Sequence, residues 1–304
     1  MESLAKIVAA LDEFFDVPRS GADPAFSRFL PGVYDATPRP WQSWTEPPFA
    51  THFNGLMLRG AAAIRTVFLA AFPSDEVLRA FLDRADPGDL LFVHHPIDLE
   101  SGDPRGAWGR FFRPIADEII DALRARQLSI YSCHAPLDYH PTLSTSGSIA
   151  AALGGTVTGQ FFPYGRGHAG IIASVPPTSF GDLKGQLQRI FHVPYLDSAG
   201  AQPAAIERVA IVAGAGDRVE QMRHAEAVGA DAYITGEIHS RIDTDYGHQK
   251  FADVEQFAAS TRMALLGVSH AASEFLVMDR EMQAWFKQRF AVATVPLAED
   301  HWWR

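Results

Sequence analysis

The stretch LSIYSCHAPLD, Leu128 to Asp138, reads as an apolar strand that stops at a histidine and is followed four residues later by a carboxylate. It has a twin. MALLGVSHAASE, Met263 to Glu274, runs an apolar strand into His270 and again places an acid four residues on, so both segments end in the pattern H-A-x-x-acid. Working outward, each twin closes a strand and helix alternation. In the first half, residues 66–72 (TVFLAAF), 90–93 and 128–133 have strand composition, with helical spacing over 74–84 and over 114–126, the latter opened by an N1 proline. In the second half, 208–213 (RVAIVA), 232–235 (AYIT) and 263–269 read as strands, with helices over 219–227 and 251–260. This alternation predicts an α/β protein built from a duplicated unit.

The flanks are less regular. Leu4, Ile7, Val8, Leu11, Phe14 and Phe15 recur at helical spacing behind Ser3, predicting an amphipathic first helix. From Pro18 to Pro48 inclusive there are seven prolines among several aromatics, which reads as an irregular segment packed on the body, with a lid over the active site as the competing reading. Residues 155–205 hold two short strand-like runs and a helix over 180–191. The expected organisation is a helix and irregular extension over 1–50, a first α/β domain with a bridging segment over 51–205, and a second α/β domain over 206–304.

Composition narrows the function classes. The chain has 304 residues, a formal charge of −10, and 26 Lys and Arg that are scattered rather than clustered, which disfavours nucleic acid as a partner. No apolar run reaches about 18 residues, and the N-terminus carries charges through its apolar part, so neither a membrane span nor a signal peptide is expected. Cys133 is the single cysteine, which excludes an intramolecular disulfide. A cytoplasmic location is the expectation.

Functional groups of an open α/β sheet collect at the carboxyl ends of its strands. LLFVHHPIDLE, Leu90 to Glu100, ends its apolar run in His94 and His95, and His134 and His270 end the twin strands. Asp138 and Glu274 follow at the i, i+4 spacing by which one helix face offers an imidazole and a carboxylate to one cation. Imidazole and carboxylate without thiolate suit Zn, Mn, Fe, Ni or Co. The donors exceed what one tetrahedral ion needs, so two ions about 3.5 to 4 Å apart are expected.

VHHP, YSCHAPLD, ADAYITGE and GVSHAASE, together with FNGLMLRG at Phe53–Gly60, resemble in order and context the motifs of the Nif-three-like (Nif3-like) family of dinuclear metal-centre proteins, which includes GTP cyclohydrolase I type 2-like proteins. The resemblance runs from about Asn54 to the C-terminus. It implies two intertwined, duplicated α/β domains with a metal site in the cleft between them, and commonly a toroidal homohexamer. It further implies metal ligation by His94, His95, Asp138, His270 and Glu274, with Glu274 bridging two divalent ions. His134 matches the family's histidine beside the cluster, a weak ligand or a proton-transfer group, and Glu237 would lie at the rim. Departures are Ala135 and Pro136 in the second motif, YGRGHAG around Arg166 where many members show a Gly-x-Gly-Arg run, and the first 50 residues, which match nothing in the family pattern.

VAIVAGAGD, Val209 to Asp217, begins like a dinucleotide fingerprint but lacks the third glycine, and reads as a tight strand-to-helix turn. Cys133 reads as core, and His168, His239 and His248 as surface or supporting groups. No G-x-S-x-G elbow and no GxxxxGK loop occurs. The expected function is a metal-dependent hydrolase of an amide or ring C–N bond in a small, possibly heterocyclic substrate, with His134 or Glu237 moving protons. The alternatives are an oligomeric metal-binding scaffold, or a phosphoesterase with Arg166 and Arg241 as its candidate cations.

Overall fold

The computed structural model describes residues 1–35 and 37–303. The chain divides into two compact units, neither contiguous in sequence: the first comprises Met1–Leu99, Phe112–His140 and Val277–Glu299, and the second Glu100–Phe111, Pro141–Leu276 and Asp300–Arg304. Among the described residues no helix is long and apolar enough to cross a membrane.

The first unit is a five-stranded sheet. Its centre is three parallel strands in sequence order, Thr66–Ala70, Leu90–Val93 and Ser129–Ser132. The third of these pairs antiparallel with Gly55–Leu58, and the first pairs parallel with Ala293–Pro296, a strand not anticipated from its short, mixed sequence. Apart from Thr66 at the edge, the central strands are buried, which is why Val67–Ala70 and Leu90–Val93 carry unbroken apolar runs rather than alternation. Ser74 caps the helix Asp75–Arg84 by accepting from the Val77 amide. The next helix is Asp117–Ala125 with Ala116 as its cap, so Pro114 precedes the helix instead of opening it.

The proline-rich segment is more ordered than its composition suggests. A helix spans Phe26–Asp35 with Pro31 inside it, and a second spans Pro47–His52. Phe26, Leu30 and Tyr34 fall on one face at four-residue spacing and pack with Trp41, Trp44, Phe49 and Phe53 into the core of the first unit. Burial of this aromatic face fixes the segment where local propensity alone would not.

The second unit repeats the plan. Ile206–Ala215, Ala232–Glu237 and Ala264–Gly267 are parallel and in sequence order, and the third again pairs antiparallel with an outer strand, Asp197–Gly200. The 155–205 segment, expected to bridge to the first domain, contributes its strands Thr156–Tyr164 and Gly167–Thr178 to this second sheet, where Gly167–Thr178 pairs antiparallel with Ile206–Ala215. Six strands result. In both units the third parallel strand runs into a histidine, so the sequence twins are structural twins.

Candidate metal centre

In the first unit, His94 and His95 leave the end of Leu90–Val93 with their amides bonded to the carbonyls of Ala70 and Ala71, on the neighbouring strand. His134 leaves the end of Ser129–Ser132 and caps the short helix Ala135–Asp138, which carries Asp138 one turn later. All four side chains are buried. Ligand atoms of His94, His95 and His134 lie within 4.8 Å of one another, and Asp138 reaches to 3.3 Å from His94 Nε2 and 3.8 Å from His134 Nε2.

The rings are oriented from behind. His94 Nδ1 donates to the Cys133 carbonyl at 2.9 Å, an acceptor-only partner that places a proton on Nδ1 and turns Nε2 toward Asp138. His95 is stacked on Phe72 with centroids 4.0 Å apart, and the edge of Phe26 meets both His95 and His134. His134 Nδ1 faces the Asp23 carboxylate at 3.0 Å, while the His134 amide donates to Asn54 Oδ1 at 2.7 Å. Burial opposes the charge on Asp23, but His134, facing it through Nδ1, and the Phe26 and Ala135 amides outweigh it and hold the carboxyl well below the usual carboxylate range.

The second unit carries a matching set. His270 opens the helix His270–Val277, and its Nε2 lies 3.1 Å from Glu274 Oε1, one turn on. Glu237 ends the middle parallel strand, two residues past Thr235, the position that His95 holds two residues past Val93 in the first unit. Expected at the rim, Glu237 is instead buried: Oε2 accepts from Ser240 at 2.8 Å and lies 3.4 Å from His270 Nδ1. Burial opposes the charged form of His270, yet Glu274 and Glu237 override it and push the imidazolium pKa up to about 10.

Two glycines make this crowding possible. Gly214 has φ +73, and a Cβ there would meet Glu274 Oε1 at 2.3 Å; a Cβ on Gly236 would lie 2.6 Å from the Gly214 carbonyl and 2.7 Å from Ser273 Oγ. The turn VAIVAGAGD thus forms the wall against which His270 and Glu274 rest. Ser269, immediately before His270, holds a φ of +93, and its hydroxyl donates to the Trp302 carbonyl.

Five proposed ligands and both proton-transfer candidates are therefore placed, each within its own unit: His94, His95, Asp138 and His134 in the first, His270, Glu274 and Glu237 in the second. Asp23, Asn54, Phe26 and Gly214 were not foreseen as site residues. Asn54 carried a signal, its place in the FNGLMLRG run, whereas Asp23 sits in a stretch with no motif at all. Arg241 lies 3.9 Å from Asp197 and over the Phe251 ring, an arrangement that engages it away from the cluster. Cys133 is wholly buried, and burial pushes its thiol well above the usual range, as suits a core residue.

The model of the Duf34/NIF3 (NGG1p interacting factor 3) family matches residues 50–299. The chain belongs to this family. It is 32% identical over 215 residues to the GTP cyclohydrolase 1 type 2 homolog of Halobacterium salinarum, covering 68% of this chain and 78% of that protein. To the Deinococcus radiodurans protein of the same name it is 30% identical over 205 residues, covering 65% of this chain and 70% of the relative. Among solved structures, protein ybgI superposes with a TM-score of 0.66 at 18% identity, covering 99% of this chain and 100% of its own. A protein of Thermus thermophilus superposes at 0.63 and 18%, covering 99% of each chain. These likenesses establish the shared fold of the NIF3 relatives.

The donor set suits a hard to borderline transition-metal ion. It is all nitrogen and oxygen, deeply buried, and in the second unit Glu237 Oε1 is buried with no hydrogen-bond partner among the described residues. A cation at that face would satisfy it.

Proposed function

We propose that this NIF3-family protein is a metal-dependent hydrolase whose ligands, His94, His95 and Asp138 from one unit and His270 and Glu274 from the other, hold two divalent transition-metal ions of the Zn, Mn, Fe, Ni or Co class. The observation that carries this reading is the repetition: each unit ends its third parallel strand in a histidine with an acid one turn away, and each buries that pair among further acid or imidazole groups. Two unrelated surface ion pairs would not recur at the same strand end with the same burial.

Divalent ions so bound supply a Lewis acid that brings water toward neutrality and polarises the group it attacks. The chain's own residues do the rest. Cys133 and Asp138 fix the orientation of His94, Phe72 and Phe26 exclude water from the back of His95, and Gly214 gives Glu274 room to approach. His134 Nε2 and Glu237 Oε1, the latter without a hydrogen-bond partner among the described residues, are the atoms that accept and return protons. The substrate class proposed is a small molecule with an amide or ring C–N bond, in line with the name GTP cyclohydrolase 1 type 2 homolog of the curated relatives, while the motifs of this chain carry no cluster of Arg and Lys that would favour GTP itself.

The deciding experiment is elemental analysis of protein purified without chelator. About two transition-metal ions per chain would sustain the reading; well-folded protein that holds none and takes up none of Zn, Mn, Fe or Ni would end it.

A further inference from the structure

Asp23 belongs to a stretch that the family pattern does not reach, since the family model begins at residue 50. Its carboxylate is nonetheless 1% exposed and saturated with donors. Oδ1 accepts from the amides of Ala25 and Phe26, both at 2.9 Å, in the manner of a helix N-cap for Phe26–Asp35. Oδ2 accepts from the Ala135 amide at 3.1 Å, from Asn54 Nδ2 at 3.2 Å, and from His134 Nδ1 at 3.0 Å. One carboxylate therefore ties the N-terminal helix to the turn that bears the His134 ring.

An ionised carboxylate accepts and does not donate, so the ring nitrogen facing it must carry the proton. Nδ1–H toward Asp23 leaves Nε2, 3.8 Å from Asp138 Oδ2, as the nitrogen that can give up its proton to take a metal, parallel to what the Cys133 carbonyl imposes on His94. The backbone of the same residue is held separately by Asn54. Ring and backbone are thus positioned by two different side chains from two different segments.

We infer that Asp23 is a positioning residue of the candidate metal centre: it locks His134 in the Nδ1–H tautomer and so presents Nε2 as the atom available to a metal or to a proton in transfer. Carboxylate, imidazole and metal in this order form a triad in which the outer carboxylate raises the basicity of the inner nitrogen, and loss of such outer groups costs about 10- to 100-fold in metal affinity. The inference rests on the metal-centre reading for its consequence but not for its geometry. Here the N-terminal segment is part of the site, not merely a packed extension beside it.

The test reads the His134 tautomer directly by long-range 15N correlation on the histidine-labelled full-length protein, metal-free and Zn(II)-loaded, with His134→Gln assigning the signal. The expected result is a proton on Nδ1 in the unmodified chain. In Asp23→Asn the tautomer should change or become mixed, and Zn(II) affinity should fall about 10- to 100-fold by chelator competition. Asp23→Ser, which keeps a helix-capping oxygen but cannot span to the ring, should do the same where the asparagine variant fails to fold. A proton on Nε2, or on both nitrogens, of the unmodified metal-free protein overturns the inference, as does an unchanged Nδ1–H tautomer in folded Asp23→Ser. A chain that shows the Asp23-dependent tautomer yet binds no Zn(II) supports the positioning role and removes the dinuclear reading instead.

Discussion

Gly214 and Glu274 approach so closely that a Cβ on the glycine would stand 2.3 Å from Glu274 Oε1, so a bare strand end is the seat of the acid. Gly214→Ala must therefore either push the carboxylate off His270 or move the strand end. The φ of +73 adds a backbone cost of about 1–2 kcal/mol for any L side chain. The variant should bind metal weakly and lose that much stability in urea titration; full metal content would show that Glu274 is not held at this wall.

His94→Ala and His95→Ala should each purify folded and depleted in metal. Both rings end a strand rather than fill the sheet, and their backbone bonds to Ala70 and Ala71 survive truncation. Circular dichroism and elemental analysis decide this together. Retention of full metal by both variants would remove the doublet from the ligand set.

The pH dependence of the metal-free protein follows from His270. Its folded pKa is raised to about 10, so the stabilising charge is fully present below the unfolded histidine value of about 6.5 and is lost as pH rises from there through about 10. The urea midpoint of metal-free protein should accordingly decline across that window. Metal needs the neutral ring, so loading at pH 8 should release a proton, measurable in weakly buffered solution with an indicator dye. A flat stability profile together with no proton release would contradict the His270–Glu274–Glu237 arrangement.

Phe26 joins the core to the imidazoles, being wholly buried and edge-on to both His95 and His134. Phe26→Ala should cost about 3–5 kcal/mol in chemical denaturation, and it should also weaken metal binding by freeing the two rings. A purely structural role would give the first effect without the second.

How much of this was readable beforehand depended on distance along the chain. Strands such as Leu90–Val93 and Ala264–Gly267 announce themselves because they are buried on both faces and so must be uniformly apolar. His270 and Glu274 were legible because helix periodicity alone brings them together. Asp23 was not, because its partner lies 111 residues away and no local pattern encodes that meeting. Phe26–Asp35 was hidden for a related reason: Pro31 and the surrounding prolines argue against a helix, and only the aromatic face packed into the first unit overrides them. Glu237 was visible as chemistry but misplaced in depth, since strand-end motifs carry no measure of burial.

The parallel pairing of Ala293–Pro296 with Thr66–Ala70 has a consequence for biosynthesis. All six strands of the second unit's sheet lie before residue 268, whereas the first unit's sheet waits for Ala293–Pro296, which is synthesised after every one of them. The sheet whose strands are made first is thus the sheet completed last. During synthesis Thr66–Ala70 remains an open sheet edge, the kind of surface that recruits chaperones or stray strands until the late segment arrives to close it.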